Sequence, residues 1–125
     1  MRRIAPGKVL LGGQSYGGRQ ATILTAEEPG LVDALLLFSY PLHPPGKPAQ
    51  LRTEHFPRIR VPAVFVHGTA DPFGSIEEVE NAVSAIPARV KLLPIEGAGH
   101  DLKRGRFDLG RVVDAVAAML TKHEG

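Results

Sequence analysis

The 125 residues suffice for one domain, and 43% hydrophobic with 22% charged residues is the composition of a globular chain, not a disordered or fibrous one. With no cysteine, neither a disulfide framework nor a zinc–thiolate site is available. The net charge of +2 comes from scattered basic residues, and even the densest stretch, Lys103, Arg104 and Arg106, falls short of the aromatic-interleaved basic stripe of a nucleic-acid surface.

Met1-Arg2-Arg3 carries the charge of a signal-peptide start, but Pro6, Gly7 and Lys8 break the apolar stretch such a peptide needs, and only Val9-Leu10-Leu11 precedes Gly12. No signal peptide is expected. The longest apolar runs, such as Ala34 to Phe38, are too short to span a bilayer, so the expectation is a cytoplasmic protein without a membrane partner. Val9-Leu10-Leu11 reads as a buried strand ending in Gly12-Gly13. Tyr16 to Ala26 reads as a helix stopped by Glu27-Glu28-Pro29-Gly30. Val32 to Ser39 is a second buried strand. A loop with Pro41, Pro44, Pro45, Pro48 and Pro57 comes next. Pro62 opens a third strand, Ala63 to Val66. Ser75-Ile76-Glu77-Glu78 spells a capping box, in which the serine caps a backbone donor and Glu78 reaches back. The helix it starts should run to Ala85, before Pro87. Val90 to Ile95 is the fourth strand, and Val112, Val113, Val116 and Leu120 keep the spacing of a final amphipathic helix. Continuous apolar strands alternating with helices imply an α/β fold whose parallel sheet is covered on both faces.

Gly13-Gln14-Ser15-Tyr16-Gly17 matches G-x-S-x-G, for which about 0.04 chance matches are expected in a chain this long. Its place between a strand and a helix is where a nucleophile elbow must lie. The tight turn forces Ser15 into strained backbone and holds its Oγ out beyond the strand. Gly13 and Gly17, lacking Cβ atoms, are expected to let strand and helix approach. The N–H of Tyr16 is the expected first oxyanion donor. The spelling for a dinucleotide or P-loop site is absent.

A serine hydroxyl needs a base to take its proton, and a histidine oriented by a carboxylate supplies one. Among five histidines, His100 lies in Glu96-Gly97-Ala98-Gly99-His100-Asp101, directly after the fourth strand. His43 and His55 sit in the proline loop and His123 in the tail. His67 competes by position, but is expected to pack or hydrogen-bond beneath the site. Asp71, in the turn His67-Gly68-Thr69-Ala70-Asp71-Pro72-Phe73-Gly74 after the third strand, is the expected orienting carboxylate. Glu96 is an inferior candidate. Ser15, Asp71 and His100 each come after a different parallel strand, on the edge where α/β sheets place their sites.

Leu11-Gly12-Gly13-Gln14-Ser15-Tyr16-Gly17-Gly18-Arg19 resembles the elbow of small dienelactone-hydrolase-like α/β-hydrolases. Ser39-Tyr40-Pro41-Leu42-His43-Pro44-Pro45-Gly46-Lys47 resembles a loop of a narrower subgroup with bacterial predicted hydrolases and eukaryotic testis-expressed and chromatin-complex relatives. His67 to Gly74 and Gly97-Ala98-Gly99-His100 resemble that subgroup's acid and histidine loops. The resemblance covers nearly the whole chain. It implies a partial α/β-hydrolase fold of about four parallel strands in three α/β/α layers, the C-terminal half of the family's domain.

The expected function is serine hydrolysis of a carboxylic ester or related acyl compound through Ser15, His100 and Asp71, with no metal or organic cofactor. An idle hydrolase fold used as an interaction module is the alternative. The family's earlier strands and the loop for its second oxyanion donor would lie upstream, and Met1 reads as a misplaced start or a fragment's edge, with a genuinely shortened protein as the alternative. Val9-Leu10-Leu11 would then become an exposed sheet edge, through which self-association is expected.

Overall fold

The computed structural model describes residues 2–5, 8–28, 30–47, 49–100, 102, 112, 114 and 117. In chain order the elements are β1 (Arg2–Ala5), β2 (Lys8–Gln14), α1 (Tyr16–Glu27), β3 (Ala34–Phe38), a 3-10 turn (Phe56–Arg58), β4 (Ala63–Gly68), α2 (Ile76–Val83) and β5 (Val90–Ile95). They build one five-stranded sheet in the order β1-β2-β3-β4-β5. Strands β2 to β5 are parallel, and β1 pairs with β2 antiparallel, with Arg2 opposite Leu10 and Arg3 opposite Val9.

The four parallel strands and their flanking helices are the architecture expected of the apolar runs. The strand β1 is not. It corrects the expectation that Val9-Leu10-Leu11 lies on an open edge, since β2 has β1 on one side and β3 on the other.

Period-two alternation divides the strands between two cores. Leu35, Leu37, Ala63 and Phe65 face one side, with Tyr40, Leu42, Phe56, Ile59 and Val79. Ala34, Val64, Val66, Leu93 and Ile95 face the other, with Ala98 and Val112. The crossovers β2–α1–β3 and β4–α2–β5 step across the sheet in the same direction, so a right-handed connection puts both helices on one face. Val112 is helical and buried against the opposite face; Val113, Val116 and Leu120 of the expected last helix lie outside the described residues. Phe65 is fully buried among Tyr40 and Phe56, with edge-on rings 5.9 Å from Tyr40, and its loss to alanine should cost about 3–5 kcal/mol.

Small residues seat α1 on the sheet. Gly18, Ala21, Thr22, Thr25 and Ala26 form its buried stripe at helical spacing. The two threonine hydroxyls are satisfied within the helix, by Arg19 O at 2.7 Å and Ala21 O at 2.8 Å. The helix ends at Glu27, beside Glu28-Pro29-Gly30. The expected capping box is present on α2: the Glu78 N–H donates to Ser75 Oγ at 3.1 Å, and the Ser75 N–H donates to Glu78 Oε1 at 2.9 Å. The helix stops at Val83, two residues before the expected Ala85.

Candidate active site

At the C-terminal edge of the sheet, β2, β4 and β5 each end in a turn that delivers one polar side chain. Ser15 comes directly after β2 with φ 53° and ψ −123°, a left-handed conformation rare for a residue with a Cβ. Its N–H donates to Phe38 O at 2.9 Å, which ties the turn to β3. Serine before a helix ordinarily caps it, but this dihedral pair turns the Ser15 hydroxyl away, and it makes no cap bond. The Oγ lies instead 2.8 Å from His100 Nε2.

The glycines of the turn divide differently from the expectation. A Cβ on Gly13 would stand 2.6 Å from the Gly17 and Gly18 backbone, and one on Gly18 would stand 3.2 Å from Gly13 O. A Cβ on Gly17 would meet nothing within 4 Å. The close approach of strand and helix is therefore made by Gly13 and Gly18, and the packing role expected of Gly17 is corrected.

Asp71 is buried, and both its carboxylate oxygens are engaged. Oδ2 accepts from His100 Nδ1 at 2.9 Å, and Oδ1 accepts from the Phe73 N–H at 2.8 Å. With a proton on Nδ1, the His100 Nε2 lone pair faces Ser15 and accepts a hydrogen bond from its hydroxyl. The Asp71 side chain is fully shielded, while His100 keeps 24% of its side-chain surface open, so the row runs from a dry carboxylate to an accessible imidazole edge. Glu96 is exposed and makes no part of this row.

His67 lies beneath, fully buried. Its Nε2 donates to Gly74 O at 2.6 Å and stands 3.6 Å from Asp71 Oδ2. Burial holds its pKa below the ordinary 6.5, and the Nδ1 left bare has no partner among the described residues. His67 therefore closes the acid loop from below, as the sequence suggests.

Several supports escape the sequence. The acid and histidine loops are stitched by Thr69 N–H to Ile95 O at 3.0 Å, Ala70 N–H to Ala98 O at 2.9 Å, and Gly97 N–H to Thr69 Oγ1 at 2.8 Å. They approach so closely that a Cβ on Gly68 would collide with the Ala98 carbonyl. The Phe73 ring stacks on the His100 imidazole, with centroids 4.1 Å apart and planes 28° apart. The exposed Tyr16 ring, next to the nucleophile, carries the Arg52 guanidinium 5.2 Å from its centroid. Only Gly68 had a signal in the sequence, a glycine at a strand end. The others depend on contacts between segments far apart in the chain.

A hydroxyl on a strained strand-to-helix turn, an imidazole edge facing it and a buried carboxylate behind thus form one hydrogen-bonded row at the carboxyl edge of a parallel α/β sheet. A family model described as an alpha/beta hydrolase domain matches residues 2–122, and the chain belongs to the α/β-hydrolase family. It is similar to the esterase domain of a Rhodothermus marinus protein (17% identity, TM-score 0.65, 88% of this chain and 59% of that one). It is also similar to dienelactone hydrolase from Anabaena variabilis (24%, 0.66, 92% and 49%) and to the monoacylglycerol lipase of Paleococcus ferrophilus (14%, 0.71, 93% and 69%). The chain thus spans about half to three-fifths of the first two proteins, and the likeness is one of fold. Among the described residues no helix is long and apolar enough to cross a membrane.

Proposed function

We propose that the protein is a serine hydrolase acting on a carboxylic ester or related small acyl compound. Ser15 attacks the acyl carbon while His100 Nε2 takes its proton. The C–O bond to the leaving group breaks as His100 returns that proton to the departing oxygen. Water, deprotonated by the same imidazole, then hydrolyses the acyl-Ser15 ester. Asp71 holds His100 in the Nδ1–H tautomer and stabilises the imidazolium. The Tyr16 N–H, in the first turn of α1 where no intrahelical acceptor exists, donates to the developing oxyanion. The reading calls on no metal or organic cofactor. The 2.8 Å approach of Ser15 Oγ to His100 Nε2, at a serine whose dihedrals forgo helix capping, is the observation that carries it.

The finer placement, among dienelactone-hydrolase-like proteins with testis-expressed and chromatin-complex relatives, rests on the spelling Ser39 to Lys47 and His67 to Gly74, and a cytoplasmic location belongs to the same proposal. Turnover of p-nitrophenyl acetate and longer p-nitrophenyl esters by the full-length protein tests the reaction. Hydrolysis lost in Ser15→Ala supports it, and turnover unchanged in Ser15→Ala refutes it.

A further inference from the structure

The two hydrogen bonds to His100, from Ser15 at one ring nitrogen and to Asp71 at the other, lie at opposite ends of the imidazole. Together they define an axis through the ring. Bonds at the two ends of an axis resist displacement along it, but they resist rotation of the ring plane about it only weakly. The bonds that tie the Gly97-Ala98-Gly99 loop to the acid loop, Ala70 N–H to Ala98 O and Gly97 N–H to Thr69 Oγ1, fix the loop's backbone and do not touch the imidazole plane. Something must fix the plane.

We infer that Phe73 is a positioning residue that registers the base and the acid to one another. Its ring covers one face of His100 at 4.1 Å and 28°, which blocks rotation about the Ser15–Asp71 axis. Its N–H holds Asp71 Oδ1 at 2.8 Å, leaving Oδ2 aimed at His100 Nδ1. One residue thus sets the carboxylate through its backbone and the imidazole plane through its side chain. Phe73 is itself pinned, because its carbonyl accepts from the His43 N–H at 3.0 Å. A π face against the ring also favours the imidazolium that forms when Ser15 gives up its proton, an effect the neutral ground state lacks. Substitution of the side chain leaves the backbone N–H in place, so it isolates the stacking contribution.

This inference rests on the proposed hydrolase reading, and its test separates the two. Phe73→Leu and Phe73→Tyr are made in the full-length protein. The first readout is the His100 Nδ1–H proton in protein with 15N-labelled histidine, which reports the ring's position whatever reaction occurs. Wild type and Phe73→Tyr should give a sharp, downfield, slowly exchanging signal, and Phe73→Leu a broadened or absent one. The second is kcat per site titrated with a fluorophosphonate, so that misfolded molecules are not counted. Phe73→Leu should lower kcat about 10-fold with KM nearly unchanged, and Phe73→Tyr should restore most of it. A sharp signal and full kcat in Phe73→Leu, or equal losses in the leucine and tyrosine variants, would overturn the inference. A wild type that shows the signal, loses it in Phe73→Leu and hydrolyses no ester would sink the hydrolase reading and leave the positioning role standing.

Discussion

Ser15 is held by strained backbone between tightly packed glycines, whereas Asp71 and His100 are held by hydrogen bonds between two loops from neighbouring strands. The elbow is local: Gly13, Ser15 and Gly18 act within six consecutive residues, and the adjacent strand supplies one further bond through Phe38 O. The acid–base corner is distributed. Its parts come from Gly68, Thr69, Ala70, Phe73, Gly97 and Ala98, and none of them is chemically conspicuous. Strain positions a side chain through what the chain cannot avoid, and a bonded corner does so only while every bond is in place. The two regions should therefore fail differently under mutation.

The largest effects belong to the polar row. Asp71→Asn should lower ester turnover about 10⁴-fold, because an amide stabilises the wrong imidazole tautomer, and His100→Ala should lower it at least as far. Glu96→Gln should leave turnover within about 2-fold, since surface changes away from such features are nearly neutral. If Glu96→Gln were damaging and Asp71→Asn harmless, the acid would have to be reassigned. His67→Ala should cost stability more than turnover per titrated site, which melting curves beside steady-state kinetics would separate.

Next come the glycines, where the two regions differ most sharply. Gly68→Ala drives a Cβ into the Ala98 carbonyl and should destabilise the protein by about 1–3 kcal/mol while loosening the histidine loop. Gly13→Ala should be at least as damaging, through the Gly17 backbone. Gly17→Ala meets open space on a helix, so it should be neutral or stabilising by up to about 1 kcal/mol. Urea unfolding of the three variants ranks them. A Gly17→Ala protein as unstable as Gly68→Ala would refute the assignment of close packing.

A smaller effect is expected from pH. His43 Nε2 lies 3.0 Å from Glu78 Oε1, and that hydrogen bond raises the histidine above its ordinary 6.5 and lowers the glutamate below its ordinary 4.5. The raised histidine stabilises the fold fully below 6.5 and loses that contribution as pH rises through its folded value. The lowered glutamate contributes above 4.5 and loses it as pH falls through its own. The pair thus helps most between those limits. His67, kept neutral by burial, acts in the opposite sense and costs stability as pH falls below 6.5. His43→Gln should lower the melting temperature at about pH 6 more than at about pH 8, by no more than about 1 kcal/mol equivalent because Glu78 is partly exposed. Equal losses at both would remove the ion pair as the cause.

The smallest concerns association. The side of β2 expected to be open is paired with β1, so self-association on that side of the sheet would run through β1, which carries Arg2 and Arg3. Charged residues are a usual protection of edge strands. Sedimentation should show only weak association that strengthens in an Arg2→Val, Arg3→Val variant; no change in that variant would exclude this edge.

The same local-versus-distributed contrast explains what was legible. Ser15 could be read because strand, glycine, serine and helix are contiguous. Asp71 and His100 could be read as residue types at strand ends. The apolar runs yielded β2 to β5, since strands buried on both faces need continuous hydrophobic sequence. The strand β1 was hidden because Arg2-Arg3-Ile4-Ala5 has no such run. Gly17 misled because the motif's spelling marks it, while the crowding falls on the unmarked Gly18. The stack of Phe73 on His100 joins residues of different loops, and no spacing encodes it.

The proposed chemistry depends on Ser15 being the activated nucleophile. Treatment of the full-length protein with a fluorophosphonate, then peptide mass spectrometry, tests it most directly. The expected result is rapid, stoichiometric labelling of Ser15 alone, with Ser39, Ser75 and Ser84 unlabelled, and labelling at least about 100-fold slower in His100→Ala. Label spread evenly over several serines, or Ser15 labelled just as fast without His100, would contradict it.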